Sequence, residues 1–467
     1  MILKRRQQQE QTQKRPIYRA AAVLLAFGLL AAACGDSDDT TTTAAAAGGT
    51  ETTAGATETT AGGTETTAEA MDVEILVWVT RPYYIPPDDF ESFTAETGIT
   101  VTYDVQSNDD ILQQWQLMRD AGEPLPDILG AEDSFLIETY VDAGLLPSHD
   151  EIAATWAAEN PEQYDLLLDL VWDETALDGV KYGASITANF DVLYYNVPCL
   201  NEAGVTVPFA TLDGVLDGLR AIKTARPDDI PFTVQAKAGE GVTTFKTVLA
   251  AAGTEFDKAV PDLESEAGLY SINWFKQAAD EGLLPPEAIA WGEDESRGAF
   301  VSEAACVILD GFTTAGDFND AEGFDYPDQW DLTPVPLSQS GGGDDGVALS
   351  AARTWAVVEG SEHPDEAALV LRYIAGTTNL IEAAGNGSVP MRQTEALNSD
   401  ELLAIWPFFN DDLKTAYLGS SPTPAGPGAG TVEEILEQLF GEIVVGTDKT
   451  AEELAAEYQP QLDAAGS

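Results

Sequence analysis

Several clusters in this sequence set aromatic rings beside planar polar groups. Trp78, Thr80, Arg81, Tyr83 and Tyr84 stand at the end of the first apolar run, and Glu132, Asp133 and Phe135 follow a later one. Trp291 precedes Glu293, Asp294, Glu295 and Arg297; Asp310 and Phe312 lie just beyond Cys306; Arg353 and Trp355, then Trp406, Phe408 and Phe409, come later. Asn189 and Glu240 add an amide and a carboxylate, the second inside a Gly239-Glu240-Gly241 loop. Flat apolar faces suit C–H surfaces and planar polar groups suit hydroxyls, so these residue types fit noncovalent recognition of a polar solute. Each cluster also has a plain structural explanation. Tyr83 and Tyr84 could pack on Pro86 and Pro87, the acids could be solvated helix N-termini, and Asn189 and Glu240 could serve turns. Trp355 could be core, and Trp406, Phe408 and Phe409 a buried cluster.

Covalent and metal chemistry find no comparable support. No Gly-x-Ser-x-Gly elbow occurs. Gly441 to Thr447 imitates a phosphate-binding loop up to the required Lys, which is absent. Asp317-Phe318-Asn319-Asp320 begins like a calcium loop, but Glu322 stands where Gly is needed. His149 and His363 are the only histidines and no CxxC is present, which argues against zinc. Carboxylate pairs are abundant in so acidic a chain, so composition disfavours a glycosidase without excluding it. The reading is a protein that is not an enzyme and uses no cofactor.

The formal net charge is −58, and six of the 22 basic residues fall before Ala20, so the rest of the chain is more acidic still. Such a body is repelled by nucleic acid and by anionic headgroups. The surplus fits solubility or a saline habitat, or else a field that attracts cationic ligands.

The basic start (Lys4, Arg5, Arg6, Lys14, Arg15, Arg19) leads into an uncharged run, Ala20 to Ala33. As a helix that run would span about 21 Å, short of the ~30 Å hydrocarbon core. Residues 1–33 therefore read as an export signal. Ala31-Ala32-Ala33-Cys34-Gly35 resembles the lipobox of bacterial lipoproteins, with Ala31 where Leu is usual. The resemblance implies lipidation of Cys34 and anchoring to the outer face of the cell membrane. Residues 34–70 then form a tether of Thr, Ala, Gly and acidic residues, with Thr-Glu-Thr-Thr-Ala recurring at Thr50, Thr57 and Thr64. It contains nothing large and apolar and should be disordered. Beyond Cys34 only Cys199 and Cys306 remain, an even count that permits one disulfide outside the cytoplasm without requiring it.

From Met71 onward, short apolar strands alternate with amphipathic helices. Strands are expected at Glu74–Val79, Ile99–Val105, Asp127–Leu129, Val192–Tyr195, Ala304–Leu309 and Trp355–Val358. Helices are expected after Pro86, over the Ile111–Met118 face, over Leu212–Ala225 and over Pro364–Ala375. Two closing helices carry capping-box spacing, Thr431 with Glu434 and Thr450 with Glu453. The class is α/β.

In that order the chain resembles the carbohydrate-type solute-binding proteins of bacterial ABC importers, the group that includes maltose-binding proteins. The resemblance spans Met71 to Ala465 and rests on an ordered set of pieces. These are the strand ending in Trp78, Glu96 to Val101, Pro126-Asp127-Ile128, Ala143 to Pro147, Tyr182-Gly183 before Leu193 to Asn196, Gly298-Ala299-Phe300 through Asp310-Gly311, Ser388-Val389-Pro390, and Gly446 to Leu454. It implies a two-lobed, type II periplasmic-binding-protein-like α/β fold with a ligand cleft between the lobes. One lobe would hold 71–185 and 346–400, the other 186–345 and 401–467. Cys199 and Cys306 would then share a lobe. The loops after strands would carry the ligand set: Trp78, Arg81, Tyr83, Tyr84, Glu132, Asp133, Phe135, Asn189, Glu240, Asp310, Phe312, Arg353 and Trp406. Glu132, Asp133 and Phe135 match the family's carboxylate-bearing loop by position, and Phe312 its aromatic platform. The implied partners are a sugar and the membrane subunits of a permease, met by a monomer. A polyamine held by Glu132, Asp133, Glu240 and Asp310 is the alternative ligand. A ligand-sensing lipoprotein and, last, a glycosidase are the alternative functions.

Overall fold

The computed structural model describes residues 73–80, 85, 86, 88–239, 242–337, 347–385, 392–426 and 428–467. The expected signal, Cys34 and the tether lie outside the described residues, as do Arg81, Tyr83, Tyr84, Glu240 and Ser388 to Pro390. Among the described residues no helix is long and apolar enough to cross a membrane.

The main sheet contains β1 (Val73–Val79), β2 (Ile99–Val105), β3 (Ile128–Asp133), β4 (Ala184–Asn196), β5 (Ile230–Thr233), β6 (Ala305–Gly311), β7 (Trp330–Pro334), β8 (Leu349–Val357) and β9 (Ser421–Pro422). Across the sheet the order is β2-β1-β3-β8-β4-β6-β5, with β7 beside β4 and β9 beside β8. The outer strands pair in parallel, β1 with β2 and β3, and β5 with β6. In the centre, β8 runs antiparallel to β3 and β4, and β4 antiparallel to β6 and β7.

The long strand β4 joins the two halves. Its residues 184–190 pair with β8, whereas 191–195 pair with β6 and 192–196 with β7. The sequence suggested a strand only over Val192–Tyr195. Ser185, Thr187, Asn189 and Asp191 alternate with apolar neighbours upstream, so the first part lacks the continuous apolar run of a doubly buried strand. The alternate residues Ala184, Ile186, Ala188, Phe190, Val192 and Tyr194 enter one core beneath both halves, with Val77, Ile128 and Trp355 from one side and Ile308, Phe318 and Trp330 from the other. On the opposite face the cores are separate. Trp78, Trp115, Leu129 and Tyr140 form one, covered by helix α1 (Asn108–Ala121). Leu193, Phe232, Phe245, Phe275 and Phe440 belong to the other, covered in part by α2 (Val242–Ala251) and α4 (Ala429–Val445). Each such side chain stabilises by about 1.5–3 kcal/mol when fully buried.

Local signals place the helices. After Pro86, Asp88 accepts from the Phe90 and Ser92 N–H groups at 3.1 and 2.9 Å, and the helix Glu91–Thr97 ends at left-handed Gly98 (φ 79°). Helix α3 (Glu293–Val301) starts with Glu295 accepting from the Gly292 N–H at 3.0 Å, and α5 (Ala451–Ala465) carries the expected Thr450–Glu453 box. The other expected box, Thr431 with Glu434, does not form. Helix α4 begins earlier, at Ala429, behind left-handed Gly428, where an added Cβ would meet the Ala465 carbonyl at 1.9 Å. That contact with the end of α5, invisible in local spacing, sets where α4 starts. Cys199 and Cys306 are bonded, with Cα atoms 5.8 Å apart and a sequence separation of 107. The bridge ties the helix Val197–Ala203 to β6.

His149 is fully buried where its ring fastens β8. The Pro147 carbonyl can only accept, so Nδ1 donates to it at 2.9 Å, while Nε2 accepts the Val357 N–H at 2.8 Å. Protonation would set two donors against each other at Nε2. Burial lowers the imidazole from 6.5 to about 4, partly opposed by the Pro147 hydrogen bond. A folded value below the unfolded one means this contribution to stability is complete above about 6.5 and is lost as pH falls towards 4. NMR should find His149 neutral, with the proton on Nδ1, until close to pH 4; a midpoint near 6.5 would contradict this packing.

Candidate ligand-binding cleft

Between the two outer cores the upper face of the sheet turns polar. Side chains alternate along a strand, so Thr187, Asn189 and Asp191 project opposite to Ala188 and Phe190. The register sets Arg353 level with both Asp133 and Thr187, Ala351 level with Asn189, and Gly311 level with Asp191. Residues level across strands share a face. A stripe therefore crosses from β3 to β6 as Asp133, Arg353, Thr187, Asn189 and Asp191. Beyond one end lie Trp78 and Leu129, and beyond the other Leu193 and Tyr195.

On the β3 side, Asp133 and Arg353 form an ion pair whose side chains are 7% and 12% exposed, too buried for solvent to screen fully. Glu132 accepts from the Tyr140 hydroxyl at 2.9 Å, and the Thr80 hydroxyl donates to the Ala131 carbonyl at 3.0 Å. Phe135 is half-buried in the turn that follows, Ser134–Leu136. That turn is held from behind: the Ser134 hydroxyl donates to Glu174 at 2.7 Å, and Glu174 pairs with Arg392, both 1% exposed.

On the β6 side, the half-buried Asn189 accepts the Thr313 N–H at 3.2 Å. Its amide lies directly over Gly311, where a Cβ would come within 2.1 Å of Nδ2 and push the amide aside. Asp191 is half-buried and accepts the Thr247 hydroxyl from α2. Desolvation pushes its carboxyl up to about 7, against the lowering by Thr247, with Asp310 adding to the rise and Lys246 opposing it. Lys246 is itself paired with Glu433 on α4.

The sequence-derived set is therefore only partly brought together. Glu132, Asp133, Phe135, Arg353 and Asn189 gather along the stripe or at its edge. Asp310 lies level with Val192, on the lower face. There Arg297 grips it in two hydrogen bonds of 2.7 and 3.0 Å, and the Gly311 N–H adds a third at 2.7 Å. Phe312 and Trp406 are 1% and 5% exposed. Phe312 stacks on Phe190 at 5.3 Å and meets Trp406 and Phe409 at 5.2 Å, which makes a buried wedge in place of an open platform. Trp78, 3% exposed, packs in the outer core, because a strand covered on both faces buries even the rings near its end. Trp355 is likewise core and lies against Gly130. Sequence reasoning missed Thr187, Asp191, Thr247 and the Glu174–Arg392 pair. The first two were detectable as the polar half of a period-two pattern; the others are joined only by tertiary contact.

Two half-sheets sharing one strand, with a polar floor between separate cores, make a two-lobed architecture. Residues 79–379 match the family of bacterial extracellular solute-binding proteins, and the chain belongs to that family. No curated protein matches significantly. Among solved structures, the chain is similar to the GacH receptor of Streptomyces glaucescens, determined unliganded and with acarbose (TM-score 0.69, 15% identity, 85% of this chain and 99% of that one). It is also similar to the cyclic alpha-maltosyl-1,6-maltose binding protein of Arthrobacter globiformis (0.67, 16%, 84% and 98%). A third is an ABC transporter solute-binding protein of Agrobacterium radiobacter K84 in complex with ribitol (0.69, 16%, 84% and 98%).

Proposed function

We propose that this protein captures a small hydroxyl-rich solute, a sugar or oligosaccharide, outside the membrane and delivers it to the permease of an ABC importer. The observation that carries the reading is the polar stripe across the strand shared by both halves, in a member of the extracellular solute-binding family. Similar proteins of known structure hold acarbose and ribitol, which supports the same ligand class here. The lobes would be 71–185 with 346–400 and 186–345 with 401–467, closing as a hinge when solute contacts both. Within the stripe, Asn189 and Asp191 would bind hydroxyls and Phe135 would offer a ring face, with Arg81, Tyr83, Tyr84 and Glu240 as further candidates from the loops. The protein acts by binding, without catalysis, as a monomer held to the outer membrane face by lipid on Cys34.

Charge pairing favours a neutral ligand over a polyamine. Asp133 is paired with Arg353, and Asp310, turned to the lower face, with Arg297, so two of the four carboxylates suited to a cation are already neutralised within the protein.

A thermal-shift and calorimetry panel of saccharides, sugar alcohols, polyamines and amino acids tests the ligand class. Micromolar binding of a saccharide or polyol, with a raised melting temperature, is expected. A response to polyamines alone, fading as salt rises, would overturn it. For the anchor, a Cys34→Ser variant is expected in the medium while the parent stays with the membrane fraction; identical partitioning would remove the lipid from the account.

A further inference from the structure

Among the described residues, the stripe contains one carboxylate, Asp191, with no arginine partner, and it stands beside the Asn189 amide. Asp191 lies on the same face of β4 as Asn189 and Thr187. Its neighbour across the sheet is Gly311, over which the Asn189 amide lies, so the amide and the carboxylate stand together. The Asn189 amide nitrogen makes no hydrogen bond with the described residues. Asp191 and Asn189, an acceptor and a donor at alternate positions of one strand, stand about 6.8 Å apart along it. That spacing lets one sugar ring or a short polyol meet both.

The charged groups around Asp191 are largely committed elsewhere. From α2, Lys246 approaches but is paired with Glu433 of α4, and Thr247 donates a neutral hydroxyl. From β6, Asp310 contributes like charge, itself held by Arg297 of α3. Across the stripe, Arg353 is paired with Asp133. Ionising Asp191 in the free protein therefore places a poorly compensated charge in a half-desolvated position. Solute hydroxyls donating to it would supply the missing stabilisation, because hydrogen bonds to an ionised acceptor are about twice as strong as neutral ones.

We propose that Asp191, with Asn189 beside it, is the hydroxyl-gripping group of the cleft, and that capture of the solute ionises it and releases one proton. This rests on the solute-binding function proposed above. In the step, the carboxyl O–H bond breaks, the proton passes to solvent, and the carboxylate accepts hydrogen bonds from solute hydroxyls. Acidification below neutrality then favours release. Desolvation, which pushes this carboxyl up to about 7 in the free protein, sets the range in which the coupling operates.

The test is calorimetry of the intact protein with maltose, laminaribiose and ribitol as probes, in buffers of differing ionisation enthalpy. Release of most of one proton is expected at pH 6, falling towards none at pH 9. In Asp191→Asn, which keeps an acceptor oxygen but no titratable proton, release should vanish. Affinity at pH 8 should also fall roughly ten- to a hundredfold, the worth of a hydrogen bond to a charged group. A merely structural role for Asp191 would change affinity at every pH without altering proton release. Binding of any probe without proton release overturns this inference and leaves the function standing, whereas failure of all three probes to bind removes both. Carbon NMR of the free protein gives an independent reading: an Asp191 carboxyl that titrates near pH 4 also overturns the inference.

Discussion

The fold depends on one strand being shared. β4 pairs with β8 along its first half and with β6 and β7 along its second, so a single extended segment belongs to both halves of the molecule. Its two faces have different duties. The lower face is apolar throughout and lies in a core common to both halves, which fixes the strand. The upper face is polar where it runs between two separate cores and becomes apolar at Leu193, where the second begins. Filling the middle of that upper face with apolar side chains would fuse the outer cores. Leaving it polar keeps the two outer cores separate.

Burial of charge follows the same logic. Charges beneath or beside the floor are paired: Asp310 with Arg297, Asp133 with Arg353, Glu174 with Arg392. Breaking a buried pair of this kind leaves an uncompensated charge and costs about 3–5 kcal/mol, so such pairs set the geometry of the loops that carry them. The Glu174–Arg392 pair holds the turn after β3 through Ser134, and Arg297 holds the start of the loop after β6 through Asp310. The aromatic wedge of Phe190, Phe312, Trp406 and Phe409 supports that second loop from below. Asp310, Phe312 and Trp406, suited by type and place to touching solute, are thus engaged in holding the loops beside the stripe.

The α/β class, most strands and the family were legible in the sequence, because apolar runs and cap residues are local signals and because the ordered pieces match a known family. Trp78 and Phe312 show where the reading stopped. An aromatic at a strand end reads the same whether it faces a cleft or a core, and only the packing of α1 or of the 406–409 segment distinguishes them. Asp191 shows the reverse: its spacing with Thr187 and Asn189 was visible, but the strand was read only from Val192, where the apolar run begins. The start of α4 was hidden for a third reason, since Gly428 answers to Ala465, far away in sequence.

Solute bound on the stripe between the two outer cores would shield the backbone of both halves at once. Hydrogen–deuterium exchange, with and without the saccharide that most raises the melting temperature, reads this out. Slowed exchange is expected to concentrate in 133–136, 187–191 and 311–313, segments brought together from both halves of the sheet. Protection confined to one half, or spread over the outer helices with those segments unchanged, would contradict it.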